Sequence, residues 1–293
     1  RLVSLVSTTR LPPMRTRGAD RVKAKVIIVG SSGKSSLLSA SGQGVCWSTE
    51  DFLEAHREVS GSGKYNFEGC RIPIPTLVRH DRLREALGSD IDPREERVLS
   101  LLEFGMPIDC KSSFGIKKRQ KNHHSAVSFK EAVDEYFNKN MESKAILGPF
   151  NISPIPDLCF SPMMSVPKDV TKRRVIVDFS FPPGKSVNDG IPTSTYLDHE
   201  VEFSLPSVNS MVSRLNCLGS GCLLYKRDLK GAFRQFSVDP GDYKFTGLVW
   251  GDNVYIDTRL AMGLRSSAYC CQSVTELVGK VVGRKGPHSG IFR

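Results

Sequence analysis

Apolar positions follow two regimes along this chain. From Ser48 to about Met141 they sit at helical spacing, and from Leu147 onward short apolar runs alternate with Pro/Gly turns. Ser48-Thr49-Glu50-Asp51 predicts a helix start continuing to about Val59 and ended by Gly61-Ser62-Gly63. Residues 60–90 are punctuated by Pro and Gly. Asp92-Pro93-Arg94-Glu95-Glu96 predicts a second start: a capping Asp, Pro at the first helical position, and acids facing the helix dipole. Val98, Leu101, Leu102 and Phe104 form its apolar face, and Gly105 and Pro107 stop it. Ser128-Phe129-Lys130-Glu131 reads as a capping box opening a helix to about Met141, with Phe129, Ala132, Val133, Tyr136 and Phe137 inward.

The second regime predicts strands near 161–166, 173–179, 222–228, 244–250 and 253–260. The first two frame a charged turn at 168–172 as a hairpin. Helices are expected from Pro206 to about Leu218 and from Ser266 to about Val282. No internal repeat is visible. Residues 1–47 have few apolar positions apart from Val26–Val29, and the expectation there is disorder.

Charge sharpens this division. The chain of 293 residues carries a formal +10, placed unevenly. Residues 1–34 hold eight Arg or Lys against Asp20 alone, and Lys111, Lys117, Lys118, Arg119 and Lys121 form a second basic run. Such stretches favour polyanions through counterion release, or else are solvated tails. The Arg- and Ser/Thr-rich, acid-free start resembles an organelle presequence, although the first residue is Arg and a fragment is the simpler explanation. Eight cysteines are scattered without a Cys-x-x-Cys pair, and His123-His124 has no cysteine partner at finger spacing, so a zinc site is not expected. Reduced thiols point to an intracellular setting, cytoplasm or nucleus. No apolar run approaches membrane-spanning length, and no membrane partner is expected.

Three blocks carry candidate chemistry. Leu223-Leu224-Tyr225-Lys226-Arg227-Asp228-Leu229-Lys230-Gly231-Ala232-Phe233 delivers one aspartate at the tip of an apolar run, with an aromatic five positions later. A strand tip of this kind can present a carboxylate to a hard cation, but it can equally be a turn aspartate. Met262-Gly263-Leu264-Arg265-Ser266-Ser267-Ala268 opens a helix, with Ser266 and Ser267 as caps. Lys168-Asp169-Val170-Thr171-Lys172-Arg173-Arg174 supplies cations on the hairpin.

In this order the blocks resemble motif A, motif B and the fingers hairpin of reverse transcriptases, most closely the retrotransposon type, LTR-type or DIRS-like. Phe181-Pro182-Pro183-Gly184-Lys185-Ser186-Val187-Asn188-Asp189-Gly190-Ile191 is especially similar to the DIRS-like group. The resemblance covers roughly Phe150 to Gly279.

It implies an α+β fold: the fingers and incomplete palm of a right-hand polymerase after a poorly ordered N-terminal region. The divisions would be a basic tail over 1–47, a helical and irregular region over 48–127, and a partial reverse transcriptase domain over 128–293. The implied activity is RNA-directed DNA synthesis with a template and primer of RNA or DNA, deoxynucleoside triphosphates and Mg2+. By the same resemblance Asp228 binds the metal ions and is the catalytic carboxylate. The amides of Gly231 and Ala232 face the phosphates, and Phe233 excludes a ribose 2′-hydroxyl. Lys168 and Arg174 hold the triphosphate, with Lys172 and Arg173 as substitutes, and Met262 and Gly263 approach template and incoming base. Lys168, Lys172, Arg173 and Arg174 are expected to form one basic fingertip facing Asp228.

The family's motif C, a second carboxylate motif following motif B, has no counterpart: no Asp occurs after Asp257. The expectation is a piece of a polymerase gene, truncated before motif C and inactive as it stands, with a catalytically dead nucleic-acid-binding relic as alternative. Two further features invite other readings. Val29-Gly30-Ser31-Ser32-Gly33-Lys34-Ser35 resembles a P-loop, which would make the chain an NTPase, but Ile28 stands where its first glycine is required. Tyr255-Ile256-Asp257-Thr258 resembles motif C but precedes motif B, and reads better as the strand leading into it.

Overall fold

The computed structural model describes residues 47–111, 120–201, 207–218 and 228–284. The expected disorder of 1–47, the P-loop-like stretch and most of the expected strand 222–228 lie outside the described residues. Within them the chain is mixed helix and sheet. Helices are α1 (Thr49–Ser62), α2 (His80–Leu87), α3 (Pro93–Phe104), α4 (His124–Ser128), α5 (Lys130–Glu142), α6 (Val208–Leu218) and α7 (Arg265–Arg284). Strands are β1 (Ile146–Phe150), β2 (Met163–Pro167), β3 (Arg173–Val177), β4 (Thr195–Tyr196), β5 (His199–Glu200), β6 (Gly247–Trp250) and β7 (Asn253–Asp257).

Two helix starts follow their local chemistry. Ser48 and Asp51 form a reciprocal capping box at α1, and Asp92 and Glu95 form one at α3 behind Pro93. The third expected box does not form. Ser128 ends α4, its hydroxyl meets His124, and α5 starts at Lys130 without a side-chain cap. Phe129 is exposed rather than inward, because it sits in the break between the two helices.

A three-stranded antiparallel sheet has the order β1-β7-β6, with β7 central. Helix α5 lies across it: Phe137 stacks on Tyr255 at 4.1 Å between ring centres, and the Trp250 indole donates to Asp134 at 2.6 Å. β2 and β3 form a separate hairpin, paired from Met163↔Val177 to Pro167↔Arg173. Helix α4 and the segment leading into it brace it, for the Met163 amide donates to Asn122 and the Ser165 amide to Ser125.

One apolar cluster runs from Phe52 on α1, through Leu102 and Phe137, to Tyr255 and Val274, so the N-terminal helices share a core with the sheet. The seam between them includes a buried acidic cluster. The 3-10 helix Pro240–Phe245 carries Asp239 at its cap and Asp242 inside it, both buried. Asp239 accepts the amides of Asn66 and Gly241, each at 2.8 Å, and Asp242 accepts the Ile108 amide at 2.6 Å. Gly105 is obligatory beside them, since a Cβ there would lie 2.7 Å from the Asp239 Cα. No described helix is long and apolar enough to cross a membrane.

Candidate nucleotide site

The hairpin turn is built by Asp169. Its carboxylate accepts the Thr171 amide and hydroxyl and the Lys172 amide, while the Lys168 amide donates to the Lys172 carbonyl at 2.8 Å. An Asx turn of this kind closes a tight hairpin. Lys168 and Lys172 are thereby exposed at the tip.

Side chains alternate across a strand, so the two arginines of β3 part company. Arg173 turns back onto its own hairpin, donating to the Ser165 hydroxyl and carbonyl at 2.7 Å and lying 3.5 Å over the Phe129 ring. It therefore leaves the single basic fingertip expected of Lys168, Lys172, Arg173 and Arg174. Arg174 faces the other way and is exposed, with Nη1 3.9 Å from the Met262 sulfur. Of the residues expected to bind a nucleotide, the structure thus brings together Arg174 and Met262.

Gly263 follows with φ +96°, and a Cβ built on it would sit 3.1 Å from the Val177 carbonyl at the end of β3. The left-handed backbone and the close approach both call for glycine. The adjoining helix is not capped by its serines. α7 already begins at Arg265, and the Ser267 hydroxyl donates back to the Ala261 carbonyl. Asn188 takes the capping role instead. Its side-chain oxygen accepts the Arg265 amide and its amide nitrogen donates to the Gly263 carbonyl, both at 2.8 Å. The same nitrogen donates to the Ser180 hydroxyl, and the Asn188 backbone is tied to Phe179. Asn188 is buried and fastens the hairpin's exit to the Met262–Gly263 loop. The Phe181–Ile191 segment was legible as a motif, but nothing in it marked this asparagine as the link.

The third block begins at the edge of the described residues. Asp228 is exposed, Gly231 takes a left-handed φ of +59°, and Ala232–Gln235 form one 3-10 turn. Phe233 is half-buried against the main core. The residue after it, Arg234, reaches β7: Nη1 meets both Asp257 oxygens at 2.7 and 2.5 Å, and Nη2 donates to Asn140 at 3.0 Å. Asp257 also accepts the Arg259 amide. Burial raises the Asp257 carboxyl above its ordinary value and the Arg234 guanidinium opposes that rise. Asp257 belongs to the strand leading into the Met262 loop, as its position in the sequence suggests.

An exposed carboxylate such as Asp228 suits Mg2+, a hard ion commonly held by one or two carboxylates plus substrate phosphates. Among the described residues no three His, Cys, Asp or Glu side chains gather as metal ligands. The described cysteines at 70, 110, 159, 217, 270 and 271 form no disulfide with one another.

No family model matches the sequence, and no curated protein matches it. Among solved structures, native prototype foamy virus protease-reverse transcriptase aligns at TM-score 0.41 and 15% identity, over 64% of this chain and 22% of that one. Foamy viral protease-reverse transcriptase in complex with dsDNA aligns at TM-score 0.44 and 14% identity, over 75% of this chain and 45% of that one. The chain spans less than half the length of either.

Proposed function

We propose that this chain is the fingers and part of the palm of a retroelement reverse transcriptase of the LTR-type or DIRS-like kind, and that it binds a template–primer and a deoxynucleoside triphosphate. The observation that carries this reading is the apposition of Arg174 with Met262–Gly263, two sequence-distant blocks tied by Asn188. A triphosphate needs exposed cations that can reach it, and a base needs backbone it can lie against. The β2–β3 hairpin supplies the first, with Lys168 alongside Arg174, and Gly263 supplies the second.

In this reading Gly231 and Ala232 offer small, approachable backbone to the phosphates. Phe233 offers a ring under the sugar, leaving no room for a 2′-hydroxyl. Asp228 would hold Mg2+, which when bound neutralises phosphate charge and activates the attacking hydroxyl.

A variant of the reading is favoured by one observation: Asp239, Asp242 and Asp257, all downstream of Asp228, are committed to internal partners. Among these four carboxylates Asp228 is then the one left for a metal ion, and the chain binds nucleic acid and nucleotide without turning them over.

The test is a dead-end complex. The chain is mixed with an RNA template, a dideoxy-terminated DNA primer, Mg2+ and a deoxynucleotide, then challenged with heparin. The complementary nucleotide should prolong survival of the complex and a mismatched one should not. Equal survival with both would overturn the reading.

A further inference from the structure

The Arg234–Asp257 pair has no part in the chemistry just outlined, yet among the described residues it is the most buried ion pair, and it adjoins the candidate residue Phe233. Asp257 is 1% exposed and Arg234 25%. The two lie 23 positions apart, on different elements. Local bonds close the 3-10 turn on itself: the Arg234 amide donates to the Gly231 carbonyl and the Phe236 amide to the Phe233 carbonyl. These fix the turn's shape but not its place on the sheet. Its downstream end is held where Phe236–Val238 pair with Thr258–Leu260. Its upstream end leaves through Gly231, the residue type with the freest backbone. Between them the guanidinium fork, closing on both Asp257 oxygens and on Asn140, is the side-chain link that ties the turn to β7 and α5. With one nitrogen on both Asp257 oxygens and the other on Asn140, the planar guanidinium is fixed in orientation as well as distance, which a lysine does not achieve.

We propose that Arg234, through Asp257, is a positioning residue that sets how far the Phe233 ring projects under the sugar, and so sets discrimination between deoxy- and ribonucleotides. The proposal rests on the reading of Phe233 given above. Arg234 itself touches neither nucleotide nor metal. Loss of the fork frees the turn to shift, and small displacements of a positioning contact can change binding or rate by up to about 10²-fold.

The experiment compares dGTP with GTP in the dead-end complex, templated by cytosine, for the full chain and its variants, with melting curves recorded on each. Phe233→Val reports on the gate itself. Arg234→Ala should lower the dGTP-over-GTP preference by at least about fivefold, the change falling on GTP affinity, and Arg234→Lys should recover part of it. Asp257→Asn, which keeps the side chain's shape and one acceptor oxygen, should fall between parent and Arg234→Ala. If Arg234→Ala does not fold, Asp257→Asn and Arg234→Lys carry the test. Folded variants that keep the parental ratio, while Phe233→Val loses it, would overturn the role of Arg234 and leave the gate standing. A parent without any preference, unchanged in Phe233→Val, would overturn the gate and this proposal together.

Discussion

The Asn188 side chain spans the Gly263 carbonyl and the Arg265 amide, each at 2.8 Å, joining the segment after the hairpin to the start of α7. An asparagine presents a donor nitrogen and an acceptor oxygen side by side, and both are used here. Asn188→Ala would remove the bonds to the Gly263 carbonyl and to the Arg265 amide that opens α7, and loss of such a cap costs about 0.5–2 kcal/mol. The chain should melt lower in calorimetry. Asn188→Asp should fall between, because it keeps the acceptor toward Arg265 and loses the donor toward Gly263. Equal melting of Asn188→Ala and parent would remove the link.

Gly263→Ala tests the same junction from its other side. At φ +96° an alanine is strained, and its Cβ would press on the Val177 carbonyl at 3.1 Å. Backbone strain of this kind costs about 1–3 kcal/mol. Denaturant titration should show the midpoint lowered, with the slope unchanged.

Stability should fall as pH rises, through Asp239 and Asp242. Burial raises both carboxyls above the ordinary carboxylate value, and at Asp239 the neighbouring Asp242 adds to the rise. The folded state therefore holds protons that the unfolded chain has already released, and the unfolded state binds fewer. Stability from these groups is fully present below the unfolded value of about 4 and is lost as pH climbs through the raised values. Asp242→Asn should flatten the slope of melting temperature between pH 5 and pH 8. A parental slope in that variant would contradict the assignment.

Much of the fold was legible where the deciding chemistry is local. Ser48 with Asp51 and Asp92-Pro93 with Glu95 announce α1 and α3 within a few residues, and the hairpin around 168–172 carries its own turn signal. β1 was not anticipated, because Gly148-Pro149 interrupts it and its pairing with β7 slips between Leu147 and Phe150. Helix α2 was missed as well: Arg79 gives it no side-chain cap. Ser128 misled, since a hydroxyl three residues before Glu131 is a cap only if no other helix has claimed it. At the site, residue types were readable but alliances were not. Arg173 and Arg174 are neighbours in sequence and opposite in direction. Asn188 and Gly263 lie 75 positions apart, and Arg234 finds Asp257 across the sheet.

Primer extension should be absent. Asp242 is held by the Ile108 amide and Asp257 by Arg234, so neither is free to join Asp228 on a metal pair. The purified chain and its Asp228→Ala variant should give the same blank on an RNA template with Mg2+. Extension by the parent that disappears in the variant would show that a second carboxylate is in place.

The most direct measurement is the affinity of the complementary deoxynucleotide in the dead-end complex, for the parent, Arg174→Ala and Lys139→Ala. Arg174 lies against Met262, whereas Lys139 is exposed on α5 among Glu131, Asp134, Glu135 and Glu142. Removing a charged partner of a phosphate costs about 1.5–3 kcal/mol, roughly tenfold or more in affinity. The account predicts that loss for Arg174→Ala and parental affinity for Lys139→Ala. Equal affinities in all three proteins would contradict a nucleotide site between the hairpin and the Met262–Gly263 loop.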